Sequence, residues 1–181
     1  MAGATIQLQN DSKANFDKQL KKLNKLAPET AFKGLVRMLF DIKTLAQLKL
    51  KSDGHIKTSR LRNSLYIKTV GQKNANLPDN SKSYVADGKS YNSEFQVTLK
   101  ENEGAIGTNV EYAPAIEFGY GPHTIEAKNA KSLGTVKTGF FGKRVNHPGF
   151  AGDSFMWWAL KNVNTEKRGR EVAKELLNGI K

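Results

Sequence analysis

The chain has 181 residues, 38% of them hydrophobic, with nine Phe and two Trp, which suits one domain whose core removes roughly 70% of the unfolded surface from water. It contains no cysteine, which excludes disulfides, thiolate metal sites and cysteine nucleophiles and fits a protein matured in a reducing cytoplasm. Lys and Arg number 29 against 17 Asp and Glu, a net charge of +12, and residues 1–70 carry 14 of the basic and 5 of the acidic groups. That excess favours a polyanionic neighbour, nucleic acid before others, while solvated lysine-rich helix faces are the plainer explanation. No stretch approaches the ~20 apolar residues of a membrane span, and the opening "MAGATIQLQND" lacks the apolar run of a signal peptide, so no membrane partner is expected.

In chain order, "NDSKANFDKQLKKLNKLA" places Phe16, Leu20, Leu23 and Leu26 at helical spacing, and a helix is expected over about 12–27. Pro28 breaks the pattern and suits the first turn of a second helix, over 29–50, that buries Phe32, Leu35, Val36, Leu39 and Phe40. In "KTSRLRNSL", Thr58 can cap a short helix with Leu61 and Leu65 inward and Arg60 and Arg62 outward. The period then changes. "LYIKTV", "EFQVTLK" and "GAIGTNV" read as strands of a central antiparallel sheet spanning about 65–138, with "HTIEAK" and "LGTVKT" as a later pair.

Between the first two strands, residues 71–92 are polar and rich in Gly, Asn and Asp. They predict a long loop or β-arm, mobile in the isolated chain and ordered against a neighbour, with a tight hairpin turn at "ADGKSY". A terminal helix is expected from about 153, with Phe155, Trp158, Ala159 and Val163 on its apolar side. The expectation is a single α+β domain: a basic helical region (1–57), a sheet with its arm (58–150) and a C-terminal helix (151–181).

The chemistry candidates fail one by one. His55, His123 and His147 with Glu117 could in principle hold zinc, but they lack the short-range spacing of a ligand motif. There is no GxSxG stretch for a serine hydrolase, and the glycines of "GYGPH" and "GAIGTNV" do not follow the strand–loop–helix order of a phosphate cradle. Glu117 as a general acid is less expected than Glu117 paired with a neighbouring base. No enzyme, cofactor or metal is therefore expected. Two stretches stand out instead. "GTNVEYAPAIEFGYGPH" and "HPGFAGDSFMWWAL" each read as a Gly- and Pro-bearing turn beside packed aromatics, which makes Tyr112, Glu117, Phe118, His123, His147, Phe155 and Trp158 the members of a packing corner.

These residues carry a resemblance. "KTSRLRNSL", "GTNVEYAPAIEFGYGPH", "FFGKRVNHPGFAGDSFMWWAL" and a charged final helix occur in the order found in the neck or tail-completion proteins that join head and tail in long-tailed bacteriophages. The similarity runs from about Thr58 to the C-terminus. Ser59 stands where the family often has Gly, and Asp153-Ser154 precede Phe155 where a Pro is usual. The resemblance implies a virion protein, assembled in the host cytoplasm, that forms a homo-oligomeric ring, sixfold or twelvefold, around the DNA channel. Its partners would be other copies of itself, head-completion or connector proteins, tail-tube or tail-terminator proteins, and double-stranded DNA. Lys57, Arg60, Arg62 and Lys68 are the residues expected to face that DNA, through contacts that ignore sequence. A stand-alone non-specific nucleic-acid-binding protein and a small hydrolase are the two alternatives.

Overall fold

The computed structural model describes residues 10–55, 59–70, 83–86, 88–92, 96–135 and 139–180. Helix α1 runs unbroken over Asn10–Ser52. The expected break at Pro28 is not there. Proline removes the N–H that would bond the Asn24 carbonyl, but both residues are exposed, so water can satisfy that carbonyl and the helix continues. From Thr30 onward one face turns inward: Phe32, Val36, Leu39, Ile42, Ala46 and Leu50 are buried, the i, i+3/i+4 stripe of a helix that spans a core. Leu35 and Phe40 sit half-buried beside it.

The short α2 (Arg60–Ser64) lays Leu61 and Ser64 against α1 and leads into β1 (Tyr66–Thr69). Strands β2 (Ser83–Ala86) and β3 (Lys89–Asn92) form a tight hairpin, with Ala86 opposite Lys89 and Gly88 at φ +71°, as the Asp-Gly pair predicts. Tyr84 and Ala86 are buried in the main core, and Tyr84 stacks on Tyr91 at 5.4 Å. The arm expected at 71–92 is thus corrected over 83–92, which packs as part of the domain. Alternation puts Tyr84 and Ala86 on one face with Val85 outward, which the polar average of the segment conceals. Residues 71–82 lie outside the described residues, as do Lys57 and Thr58.

Strand β4 (Gly104–Gly107) pairs antiparallel with β1, matching Ile67 to Ile106, and lies on α1 so closely that a Cβ at Gly104 would meet the Leu39 side chain at 2.5 Å. The described part of "EFQVTLK", residues 96–100, is not in a strand. A six-residue helix α3 (Ala113–Phe118) follows. Next come β5 (His123–Glu126), β6 (Leu133–Thr135), β7 (Gly139–Gly142) and β8 (Arg144–His147). β5 pairs with β8 and β6 with β7, so the segment folds back on itself as one long two-stranded ribbon. Among the described residues the β-elements are four separate antiparallel pairs rather than one central sheet. No described residue from His123 to His147 is buried, and these strands make their main contacts only with one another.

The terminal helix is two helices, α4 (Phe155–Asn162) and α5 (Thr165–Ile180). The break has a local cause: Val163 turns extended to bury its side chain, and the Asn164 side chain accepts the Lys167 N–H (2.8 Å) as the N-cap of α5. α5 returns antiparallel along α1, with Gly34 close beneath Val172 and Leu26 near Gly179. Arg168 clasps the pair by a bidentate bond to Asp41 (2.6 and 2.7 Å) and a third bond to Glu171. These bonds, Asp41's first, hold its guanidinium still more firmly protonated than usual. The architecture is α+β, a long helix with small antiparallel ribbons and C-terminal helices around one apolar cluster.

Phe155 is 1% exposed at the centre of that cluster, whereas Phe118 is 80% exposed. Denaturant titration should therefore show Phe155→Ala losing about 3–5 kcal/mol. Phe118→Ala should stay within about 0.5 kcal/mol of the parent.

A candidate assembly corner

The stretches singled out in the sequence meet in space. Buried Ser64, from "KTSRLRNSL", lies 2.5 Å from Thr108 Oγ1 of "GTNV". Ser64 Oγ donates to the Leu61 carbonyl (2.7 Å), and Thr108 Oγ1 accepts the Val110 N–H (3.1 Å). The intervening proton is therefore Thr108's: Val110 N–H, Thr108 hydroxyl, Ser64 hydroxyl and Leu61 carbonyl form one directed chain with each buried polar group satisfied.

The second junction is tighter. The Glu117 carboxylate accepts the backbone N–H groups of Met156 (2.9 Å) and Trp157 (3.0 Å), the free amides of the first turn of α4. Ser154, at the N-cap position, makes no side-chain cap of its own; its hydroxyl donates to the Glu117 carbonyl (3.3 Å), and its N–H donates to the same oxygen (3.1 Å). Asp153 N–H donates to the Ile116 carbonyl (2.8 Å). Glu117 thus completes a helix terminus supplied by a distant segment, and its negative charge complements the positive end of the helix dipole. Both oxygens are engaged in structure.

Beyond Glu117 the two stretches run together as strands. Tyr120 and Phe150 exchange both backbone bonds at 2.8 Å. Gly119 (φ +75°) permits this approach, since a Cβ there would stand 2.2 Å from the Phe150 carbonyl oxygen. Gly152 (φ +84°) packs from the other side, where a Cβ would lie 2.6 Å from Gly119 N. His123 then faces His147 across the β5–β8 ladder, their rings stacked at 5.2 Å beneath Tyr120. His55 joins the same row from α1's end, its ring 6.2 Å from Phe150 and paired with Asp153. Among the described residues no group of three His, Asp or Glu is placed to hold a metal.

Three members of the expected packing corner are corrected. At about 100° per residue, Ile116 and Glu117 lie within about 60° of buried Ala113 on α3, but Phe118 lies about 140° away and points to solvent. Trp158 is 37% exposed at the edge of α4, under Lys49 at 5.8 Å, rather than in the core. Tyr112 is likewise 41% exposed, next to Arg60.

Of the basic residues, Arg60 is not simply outward. Its guanidinium lies over Tyr91 (4.6 Å) and 3.8 Å from Glu111, and a Tyr84 hydrogen bond above all raises its affinity for its proton. Arg62 on α2 and Lys68 on β1 are half-buried. Sequence reasoning missed the Ser64–Thr108 link and the ribbon. The first had a signal, a serine three residues after Leu61 on the apolar face; in the second, "HTIEAK" and "LGTVKT" are expected to pair with each other, but β5 pairs with β8 and β6 with β7.

The backbone also bears on the two departures in the sequence pattern. Ser59 has φ +56°, the left-handed region in which Gly costs nothing. Ser154 has φ +46°, which proline cannot adopt, so the chain enters α4 by a turn that excludes Pro at that position. No family model matches the chain, and neither a curated protein nor a solved structure does.

If Glu117 is the cap of α4, Glu117→Ala should lower unfolding stability by about 1–2 kcal/mol. Glu117→Gln, which keeps one acceptor oxygen, should lose less. Thermal and denaturant unfolding of the two variants side by side checks the order.

Proposed function

We propose that this chain is a structural protein of a bacteriophage head–tail junction, a neck or tail-completion subunit that forms a ring around the DNA channel and joins head to tail. The observation that carries the reading is the convergence of its three motif stretches. Segments separated by thirty to forty-four residues are joined by Ser64–Thr108, by Glu117 with the α4 amides, and by Tyr120–Phe150. Motifs that secure one fold junction are what a family signature of this kind consists of, and the left-handed Ser59 sits where that family often has Gly. The partners are further copies of the chain, the adjoining head-completion or connector and tail-tube or terminator proteins, and the double-stranded DNA they enclose.

The charge supports a DNA neighbour and relocates its centre. α5 ends at Ile180, level with Leu26, so α1 projects about 24 Å further at ~1.5 Å per residue. This projecting end exposes Lys18, Lys21, Lys22 and Lys25 against Asp17. Lysines in such a row neutralise phosphates without reading bases, and the contact weakens as salt rises, which suits DNA that must slide. Arg62 and Lys68 remain candidates for the same surface; Lys57 lies outside the described residues, and Arg60 is held by its tyrosines and Glu111. The exposed lysine row also favours a second reading, a stand-alone non-specific DNA-binding protein. That reading predicts salt-dependent DNA affinity in the monomer.

Deleting the gene from the phage that carries it separates the two. The junction reading predicts DNA-filled heads and finished tails that do not join, with infectivity restored when purified protein is added to the mixture. Joined, infectious particles without the protein would contradict it.

A further inference from the structure

We infer that the tip of the β5–β8 ribbon of one copy docks in the apolar groove between α1, β4, α3 and α4 of a second copy, so that neighbouring subunits join head to tail. The inference rests on the junction reading for the sense of the assembly, a closed ring, and on the geometry below for the contact.

The ribbon tip exposes two adjacent phenyl rings, Phe140 (68%) and Phe141 (59%), on strands that no other element among the described residues covers. The groove has a volume of about 600 Å³ and is lined by Leu39, Ile106, Phe118, Met156, Trp157 and Leu160. Three of these, Phe118 (80%), Trp157 (55%) and Leu160 (50%), are largely exposed, an arrangement that costs solubility unless something covers it. Clefts of roughly 300–1,000 Å³ accept drug-sized apolar groups, a scale that fits two phenyl rings.

Charge selects a second copy as the occupant. From Tyr120 to Phe150 the ribbon carries five Lys or Arg and one Glu; from Lys100 to Gly119 the β4–α3 side of the groove's border carries four Glu and one Lys, while on the α4 side Lys161 lies over Trp157 at 5.1 Å. Glu126 is matched within the ribbon by Arg144 (3.2 Å), while Lys128, Lys131 and Lys143 are exposed. On the groove side Glu101, Glu103 and Glu111 are exposed. One chain therefore presents a basic arm with an aromatic tip and an aromatic groove that is acidic along its β4–α3 side. Complementary potentials of this kind fix register and orient encounter.

Area agrees. With aromatic side chains burying roughly 150–250 Å² each, the two tip rings and the three groove side chains offer about 600 Å² of apolar surface, close to the apolar share of a standard interface of roughly 1,200 Å². Tip and groove are different patches, so the contact is heterologous and closes into a ring when the rotation per subunit allows it.

The absence of native cysteine gives a clean test. Sedimentation of the full chain should show an oligomer whose dissociation constant rises about 100-fold or more in Phe140→Asp/Phe141→Asp and in Phe118→Asp, with circular dichroism unchanged. Chains carrying only Phe141→Cys or only Leu160→Cys, mixed under mild oxidation, should form the mixed disulfide well above either homodimer. An oligomer indifferent to the tip substitutions, or a statistical yield of the three disulfides, overturns the inference. So does a wild-type chain that is monomeric at high concentration. That last result leaves the junction reading open to the gene-deletion experiment, where loss of head–tail joining would still support it.

Discussion

A single carboxylate organises the molecule. Glu117 lies on a six-residue helix that could not stand alone in water, and it finishes the first turn of α4, whose own N-cap serine is turned away in a left-handed conformation. Because α4 carries Phe155 and Ala159 into the centre of the core, that contact sets where α3 sits against α4 and so brings Ala113 to the core. Because α3 ends at Gly119, it also sets the direction in which the ribbon leaves. Core and ribbon are thus joined through one charged, helix-terminal interaction and the Tyr120–Phe150 bridge that follows it.

Much of this was legible in the sequence, and the losses have physical causes. The α1 stripe, the α2–β1 passage, β4, the Asp-Gly hairpin and Phe155 as a core anchor all follow from period and turn chemistry. Pro28 misled because at an exposed position water can replace the lost hydrogen bond and a long helix can relieve the ring's clash with the i−4 carbonyl by bending. Phe118 misled because aromatic character was weighed without the angle at which a short helix presents it. The arm was assigned to the polar segment at 71–92, yet the long exposed ribbon is built from residues 120–150, where glycines and cross-strand pairs such as Thr124–Asn146 (3.0 Å) hold two strands without a core beneath them. Glu117's role was half readable: a partner was expected, but the partner is a pair of backbone amides rather than a basic side chain.

The polar side chains of the corner are committed to holding segments together. The histidines, glutamates and hydroxyls that drew attention are spent on joining segments: Ser64 to Thr108, His55 to Asp153, Glu117 to α4, His123 to His147. The surfaces left over are extended ones, an exposed lysine row along α1, an aromatic ribbon tip and an apolar groove bordered by glutamates. In the proposed assembly the first of these is the face for polyanion and the other two are the faces for copies of the chain.

The two motif stretches form one locked corner from which a ribbon projects. Residue-resolved amide hydrogen exchange on the dilute protein tests it most directly, since cooperative units exchange with a common opening free energy. The account predicts that the amides of Tyr120, Phe150, Asp153, Met156 and Trp157 exchange slowly and together, while those of Phe140 and Phe141 exchange orders of magnitude faster. Exchange at Met156 and Trp157 as fast as at the ribbon tip would contradict it.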